Sequence, residues 1–258
     1  MAVYAVSDLH GQYDTFIRGL DKINFSDDDE LYMIGDAVDR GPDSIRILQY
    51  IKDHDNMDLL IGNHEFMMLN SVDPNGRDKC TGYDSDLWLY YNGGNKTFRE
   101  YSKLKAETRK SILLWLNRRY VIKTVTVGDK RFCLTHSFYK PEFENKMFFE
   151  MDYDDIWSLV WPSVYRDGDT WRPFIYTEYD YTFITGHVPV QRVRFEMYGD
   201  DTKSNVLQIV EDRNLIDIDG GCAGGSDSWL NNGALFLRLD DMQVFTVPLT
   251  GIDHSDCS

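Results

Sequence analysis

The sequence predicts an α/β fold, with a parallel sheet and crossover helices in its first third and a second sheet later. Three observations predict it. Short apolar runs alternate with helical patterns over the first 70 or so residues, each run is broken by a polar turn, and beyond Tyr120 the texture changes to short strand-like runs. Val3–Val6 is the first run, ended by the polar residues 7–11, and Phe16, Ile17, Leu20 and Ile23 then recur at helical spacing. Residues 26–30 form an acidic, solvated turn. The second strand covers 31–34 and breaks at Gly35; after Gly41 and Pro42 comes a helix that buries Ile45, Ile47, Leu48 and Ile51. The third strand covers 59–61, breaks at Gly62, and leads to a helix beginning over 66–69. Three successive strand–loop–helix units imply parallel strands, because only a crossover returns the chain in the same direction.

Residues 88–120 are rich in aromatics and helix formers around a turn at 92–95, which predicts a helical cap over roughly 84–118. Residues 121–127 and 131–135 flank a Gly128-Asp129 turn and predict a hairpin. Residues 139–180 are aromatic and acidic, with no period. Residues 181–185, 206–210, 215–218, 234–239 and 243–247 read as short strands closing the second sheet. With no repeat, linker or low-complexity tract, 1–258 reads as one domain carrying a cap.

Composition narrows the partners. With 258 residues, 42% hydrophobic and 14% aromatic, the chain can build a sizeable core, which excludes general disorder. The 27 Lys and Arg against 43 Asp and Glu leave a net charge of −16. Such a surface repels nucleic-acid backbones and anionic membranes, so neither is an expected partner. Cys80, Cys133, Cys222 and Cys257 are scattered and form no CxxC pair. The first residues, MAVYAVSDLHG, lack the basic and apolar regions of a signal peptide, and no run approaches the ~18 apolar residues of a membrane span. The expectation is a soluble, cytoplasmic protein with reduced thiols.

Polar residues gather directly after the strands: Ser7-Asp8-Leu9-His10-Gly11, Gly35-Asp36-Ala37-Val38-Asp39-Arg40-Gly41, Gly62-Asn63-His64-Glu65, Thr135-His136-Ser137 and Gly186-His187-Val188. In an open α/β sheet the carboxyl ends of parallel strands form the ligand crevice, so these five clusters can converge. Of six histidines, His10, His64, His136 and His187 fall at these strand ends, while His54 and His254 lie in ordinary polar surroundings. Asp8 and His10 are two apart, which in an extended segment points both side chains the same way. Carboxylate oxygens with imidazole nitrogens suit Mn, Fe or Zn better than Ca. One metal would leave Asn63, His136 and His187 idle; two metals sharing a carboxylate use the whole set. Two-metal sites with ions ~3.5–4 Å apart activate water and clamp an in-line displacement at phosphorus, as phosphatases and nucleases require.

His64 follows Asn63 directly, so both cannot readily coordinate from one extended segment. His64 either packs or acts as a general acid for the leaving alkoxide, oriented by a carboxylate such as Asp39. Arg40 either forks two phosphate oxygens or is a solvated surface arginine. No P-loop, GxGxxG, GxSxG or HExxH pattern is present. The run Gly220-Gly221-Cys222-Ala223-Gly224-Gly225 precedes a strand, not a helix, so it reads as a loop near the site; a nucleophilic Cys222 is unnecessary where water can be activated.

The first three of these motifs, in this order, resemble the signature of the calcineurin-like metallophosphoesterases, and within them the phosphoprotein phosphatase family of Ser/Thr phosphatases. Trp88-Leu89 with Asn92-Gly93-Gly94 resembles the WLxxNGG element of its bacterial and phage members. Gly186-His187-Val188-Pro189 and Ile218-Asp219-Gly220-Gly221 resemble their GHTP and IDTG segments. The resemblance implies a metallophosphoesterase-type β-sandwich of two mixed sheets flanked by helices. It implies that Asp8, His10 and Asp36 hold one metal, that Asp36 bridges to a second held also by Asn63, His136 and His187, that His64 is the general acid paired with Asp39, and that Arg40 grips phosphate. Two departures stand out. Ser7 replaces a frequent glycine. The second phosphate arginine expected two residues after a tryptophan is missing, since Pro162 and Ser163 follow Trp161 and Ser158 and Leu159 follow Trp157. Arg166 is the nearest substitute, with Arg172 behind it.

The expected function is that of a dinuclear metal-dependent phosphomonoesterase acting on phosphoserine or phosphothreonine through metal-activated water, with Mn as the first choice of metal and Fe or Zn as alternatives. The alternative is a dinucleoside polyphosphate hydrolase whose cap aromatics Trp88, Tyr90 and Tyr91 either stack adenines or pack the cap's own core. A third, lesser reading is a scaffold that binds phosphorylated partners without turnover.

Overall fold

The structure, a computed structural model, describes residues 1–173, 176–199, 206–227 and 231–249; His254 and Cys257 lie outside the described residues. In chain order the first half runs β1 (Val3–Val6), α1 (Tyr13–Ile23), β2 (Glu30–Ile34), α2 (Ser44–Lys52), β3 (Met57–Leu60) and α3 (Asn63–Ser71). A π-helical turn (Leu87–Tyr91), α4 (Gly94–Ser102) and α5 (Ala106–Leu116) occupy the segment expected as a cap. The hairpin β4 (Ile122–Val127) and β5 (Lys130–Thr135) follows. Then come α6 (Tyr153–Val160), a two-stranded ribbon of β6 (Arg166–Asp167) and β7 (Thr170–Trp171), β8 (Thr182–Thr185) and α7 (Val190–Tyr198). The last elements are β9 (Val210–Asp212), β10 (Leu215–Asp217), β11 (Gly233–Arg238) and β12 (Gln243–Pro248).

These strands make two mixed five-stranded sheets flanked by helices, ordered β12-β11-β1-β2-β3 and β4-β5-β8-β10-β9. β1, β2 and β3 are parallel neighbours, with Val6 opposite Met33 and Ile34 opposite Leu60. β5, β8 and β10 are also parallel, with Phe183 between Cys133 and Leu215. Alternation divides the first sheet between two cores. Val3, Ala5, Leu235 and Leu237 face the second sheet and pack with Phe132, Leu134, Phe183 and Leu215. Tyr4, Val6, Leu31, Met33 and Phe236 face the helices and pack with Phe16, Leu20, Ile47 and Leu48. Helix α1 lies so close to β11 that a Cβ at Gly19 would sit 2.1 Å from the Phe236 ring, which is why glycine occupies that position.

Two expectations are corrected, and one helix is new. Residues 234–239 and 243–247 do form strands, but they extend the first sheet instead of the second: β11 pairs antiparallel with β1, placing Leu237 opposite Ala5. Their periodicity specifies a strand, whereas the partner is chosen by which sheet can bury both faces of Ala234 to Leu237. Residues 206–209 carry no strand; β9 begins at Val210 and runs to Asp212. Helix α7, unforeseen, starts directly after Pro189 and buries Val190 and Val193, a spacing too short to stand out. Among the described residues no helix is long and apolar enough to cross a membrane.

Candidate metal centre

The loops after β1, β2, β3, β5 and β8 meet at one edge of the paired sheets. Gly186 N–H donates to His136 O (3.1 Å) and His187 N–H donates to the Asp8 carboxylate (3.0 Å). The backbone there is strained. Asp8 (φ 52°), His10 (44°), Asp36 (53°), Asp39 (75°), Arg40 (63°) and His187 (76°) all adopt the left-handed region, although none is glycine. Each such residue costs about 1–3 kcal/mol, and it persists only where its surroundings over-determine it. Asp8 and His10 are therefore not in the extended conformation expected of them, although the His10 Nε2 and Asp8 Oδ1 atoms still converge to 3.9 Å.

The over-determination is visible. Asp8 N–H bonds Gly35 O (3.1 Å), His10 N–H bonds Asp36 O (2.9 Å) and Gly11 N–H bonds Ala37 O (2.8 Å), lacing the first loop to the second. The fully buried Glu65 carboxylate accepts the N–H groups of Asp36 (2.8 Å), Ala37 (2.9 Å), Val38 (3.3 Å) and Gly62 (3.1 Å). Glu65 thus shapes the loop that carries Asp36, a role the sequence reading missed. Its signal was a Glu at the third position of α3, where a side chain can reach back to the residue before the helix. Helix α3 starts three residues earlier than expected, so Asn63 and His64 lie on its first turn.

Asp36 Oδ2 is the centre of the arrangement. It lies 3.7 Å from His10 Nε2, 3.9 Å from His64 Nε2 and 3.5 Å from His136 Nε2, while Asp36 Oδ1 accepts the His64 N–H (3.0 Å). Asn63 Oδ1 is 3.0 Å from both His136 Nε2 and His187 Nδ1, which are 3.1 Å apart. Two groups result, His10–Asp36–His64 and Asp36–His136–His187; within each, the ligand atoms lie within 4.8 Å of one another. Asp8 adds a buried Oδ1 that has no hydrogen-bond partner.

Backbone carbonyls assign the tautomers of three rings. His10 Nδ1 donates to Val38 O (3.1 Å), His136 Nδ1 to Ile34 O (3.1 Å) and His187 Nε2 to Trp161 O (3.0 Å). The opposite nitrogens then present lone pairs to one another, to the Asn63 carbonyl oxygen and to two carboxylates. Lone pairs 3.0–3.1 Å apart repel unless a cation lies between them. The donor set therefore fits bound divalent cations, with nitrogen and oxygen ligands of the Mn, Fe or Zn type and ring orientations fixed by second partners.

Beside this set, His64 Nδ1 donates to Asp39 Oδ2 at 2.6 Å. The same carboxylate accepts Trp88 Nε1–H (2.8 Å) and Thr97 Oγ1–H (2.5 Å). His64 Nε2 stays open to the site, 3.5 Å from Arg40 Nη2. Trp88 is fully buried in this network, so it is no platform for a base; Tyr90 and Tyr91, by contrast, are exposed. Arg166 is not brought to the cluster. Its exposed side chain donates to Gly168 O (2.9 Å) and pairs with Asp169 (3.7 Å) in the β6–β7 ribbon.

Burial sets the electrostatics. It pushes the carboxyls of Asp39, Glu65 and Asp219 up to about 7, and those of Asp8, Asp36 and Asp217 well above their usual range. It lowers His10, His64 and His136 well below, and His187 to about 4. Raised carboxyls stabilise the folded chain at low pH and lose that contribution as pH rises through the folded value; lowered histidines act oppositely, below about 6.5. Above 6.5 only the carboxyls count. The metal-free protein is therefore expected to lose about 5 °C in Tm between pH 6.5 and 8.5, and saturating Mn²⁺ should flatten that slope. Calorimetric scans with and without metal check this, and equal slopes would contradict the cation assignment.

The model of the family described as calcineurin-like phosphoesterase matches residues 1–218. The chain belongs to the calcineurin-like phosphoesterases. Two curated relatives of this phosphoesterase are named symmetrical bis(5'-nucleosyl)-tetraphosphatase. The Erwinia tasmaniensis protein is 28% identical over 146 residues, 56% of this chain and 47% of the relative. The Escherichia coli protein is 29% identical over 148 residues, 57% and 46% respectively. The phosphoesterase thus spans about half the length of these relatives. Solved structures share its fold. A putative diadenosine tetraphosphatase aligns with TM-score 0.57 at 15% identity, covering 95% of this chain and 92% of that one. A metallophosphoesterase from Sphaerobacter thermophilus aligns with TM-score 0.52 at 14% identity, covering 96% and 88%.

Proposed function

We propose that this calcineurin-like phosphoesterase, read as one domain with a helical cap, is a dinuclear metal-dependent hydrolase of phosphomonoesters on serine or threonine. The observation that carries the proposal is the sharing of Asp36 between two ligand groups, with Arg40 and His64 opening onto the same space. Asp8, His10 and Asp36 would hold one cation, leaving His64, the third member of the first group, for proton transfer; Asp36, Asn63, His136 and His187 would hold the other, with Mn²⁺ first and Fe or Zn as alternatives. When bound, such a pair makes water nucleophilic at neutral pH and neutralises phosphoryl charge. The chain's own residues do the rest. Arg40 forks two phosphoryl oxygens. His64 gives its Nε2 proton to the leaving oxygen, while Asp39, fixed by Trp88 and Thr97, holds the Nδ1 proton and steadies the imidazolium before transfer. The net charge of −16 supports compact phosphoesters over polyanions.

A second reading, hydrolysis of dinucleoside polyphosphates, is favoured by the names of the curated relatives and by exposed Tyr90 and Tyr91, which lie three and two residues before Gly93, whose carbonyl faces the Arg40 N–H (3.5 Å). Turnover of p-nitrophenyl phosphate is expected to vanish in EDTA and return with Mn²⁺. Undiminished rates after chelation and dialysis would overturn both readings, and the relative rates on phosphopeptide and diadenosine tetraphosphate decide between them.

A further inference from the structure

A surface pocket of about 430 Å³ is lined by Asn70, Tyr83, Tyr153 and Asp154. Its walls are two tyrosine rings at 89°, with centroids 6.3 Å apart, and Tyr83 is 92% exposed. The Tyr153 hydroxyl donates to Asp84 (3.0 and 3.2 Å), so its polar end is satisfied and the ring is what the pocket receives. The exposed Asp154 carboxylate makes no ion pair among the described residues. The surrounding segments 83–92 and 150–155 contain Asp84, Asp86, Glu150, Asp152, Asp154 and Asp155 and no Lys or Arg. Perpendicular aromatic faces beside a carboxylate are suited to a guanidinium or ammonium group.

The pocket is tied to the metal centre by two elements. Helix α3 carries Asn63 at the centre and Asn70 at the pocket; seven residues of helix span about 10 Å. Along α6 and just past it, the half-buried rings of Tyr153, Trp157 and Trp161 form a column. Successive centroids are 6.0 and 4.3 Å apart with planes within 22° and 12°, and the Trp161 carbonyl holds His187. Three residues of extended peptide also cover about 10 Å.

We propose that this track binds an extended phosphopeptide whose arginine or lysine, three residues from the phosphorylated residue, seats on the exposed Tyr83 ring, beside Tyr153 and against Asp154. The inference rests on the phosphoserine/phosphothreonine reading and adds a sequence preference to it. The test compares kcat/KM of the Mn²⁺-loaded protein on three alanine-based phosphoserine peptides, with arginine three residues before the phosphoserine, three after it, or absent. One arginine peptide is expected to exceed the plain peptide by about five- to tenfold, mainly through KM. Tyr83→Ala and Asp154→Asn are each expected to bring that ratio below about twofold; a ratio taken within one variant cancels any loss common to both peptides. A wild-type ratio near one, or a ratio that survives both substitutions, overturns the pocket and leaves the phosphatase reading intact. Hydrolysis of diadenosine tetraphosphate with no phosphopeptide turnover overturns the phosphatase reading, and this inference with it.

Discussion

Asp36→Asn is expected to lower turnover of p-nitrophenyl phosphate by on the order of 10³-fold or more, because one side chain serves both ligand groups. The substitution is nearly isosteric. The Oδ1 atom that accepts the His64 N–H is retained, so the first turn of α3 keeps its anchor. What is lost is the charge at Oδ2, the atom 3.5–3.9 Å from three imidazoles. Metal content, measured by mass spectrometry on protein purified without chelator, should fall together with activity. Stability should move the other way. Burial raises the Asp36 carboxyl well above its usual range, so at pH 8 the metal-free wild type is destabilised relative to its unfolded chain, either by a buried charge or by a proton held against the pH, and Asn removes both costs. Metal-free Asp36→Asn is therefore expected to melt no lower than metal-free wild type at that pH. Activity within tenfold of wild type, with two metals retained, would remove Asp36 from the shared position.

The same balance explains which parts of the molecule were legible in the sequence. Asp8, His10, Asp36, Asn63, His136 and His187 could be expected to meet because each follows an apolar run, and parallel strands bring their carboxyl ends to one edge. Their backbone could not be read the same way. Positive φ at six non-glycine residues runs against local propensity: Glu65 and the ladder between the first two loops hold Asp8, His10 and Asp36, Ser44 and Thr97 accept the Asp39 N–H, Gly93 O faces the Arg40 N–H, and the Asp8 carboxylate accepts the His187 N–H. Strand identity was legible from period-two alternation, whereas sheet membership was not: Ala234 to Leu237 would suit either sheet, and only pairing with β1 decides. Trp88 shows the limit for side chains. A tryptophan beside two tyrosines reads as a stacking surface, but its Nε1–H is bonded to Asp39 inside the protein. Arg166, offered by resemblance alone, has local partners in a two-residue ribbon that no periodicity could have placed.

His64→Ala tests the acid by making the leaving group the variable. With an alkyl phosphate, whose departing alkoxide must be protonated, the loss is expected to be on the order of 10²–10⁴ in kcat. With p-nitrophenyl phosphate, whose phenolate leaves with little protonation, the loss should shrink to within about tenfold. A structural role would lower both substrates equally, so the difference between them isolates proton transfer from packing. His64 is well placed for that difference. Its Nδ1 is committed to Asp39 at 2.6 Å, and its Nε2 faces Arg40 and Asp36, where a bound phosphoryl group would lie. Burial and the Arg40 guanidinium lower its affinity for a second proton, and a bound phosphate dianion would offset the Arg40 contribution. The imidazolium should therefore form in the substrate complex and discharge on the leaving oxygen. Asp39→Asn keeps an acceptor for Trp88 but removes the charge that steadies the imidazolium, so it should reproduce the alkyl-selective loss in milder form. Equal losses on both substrates in His64→Ala would assign proton donation to another group.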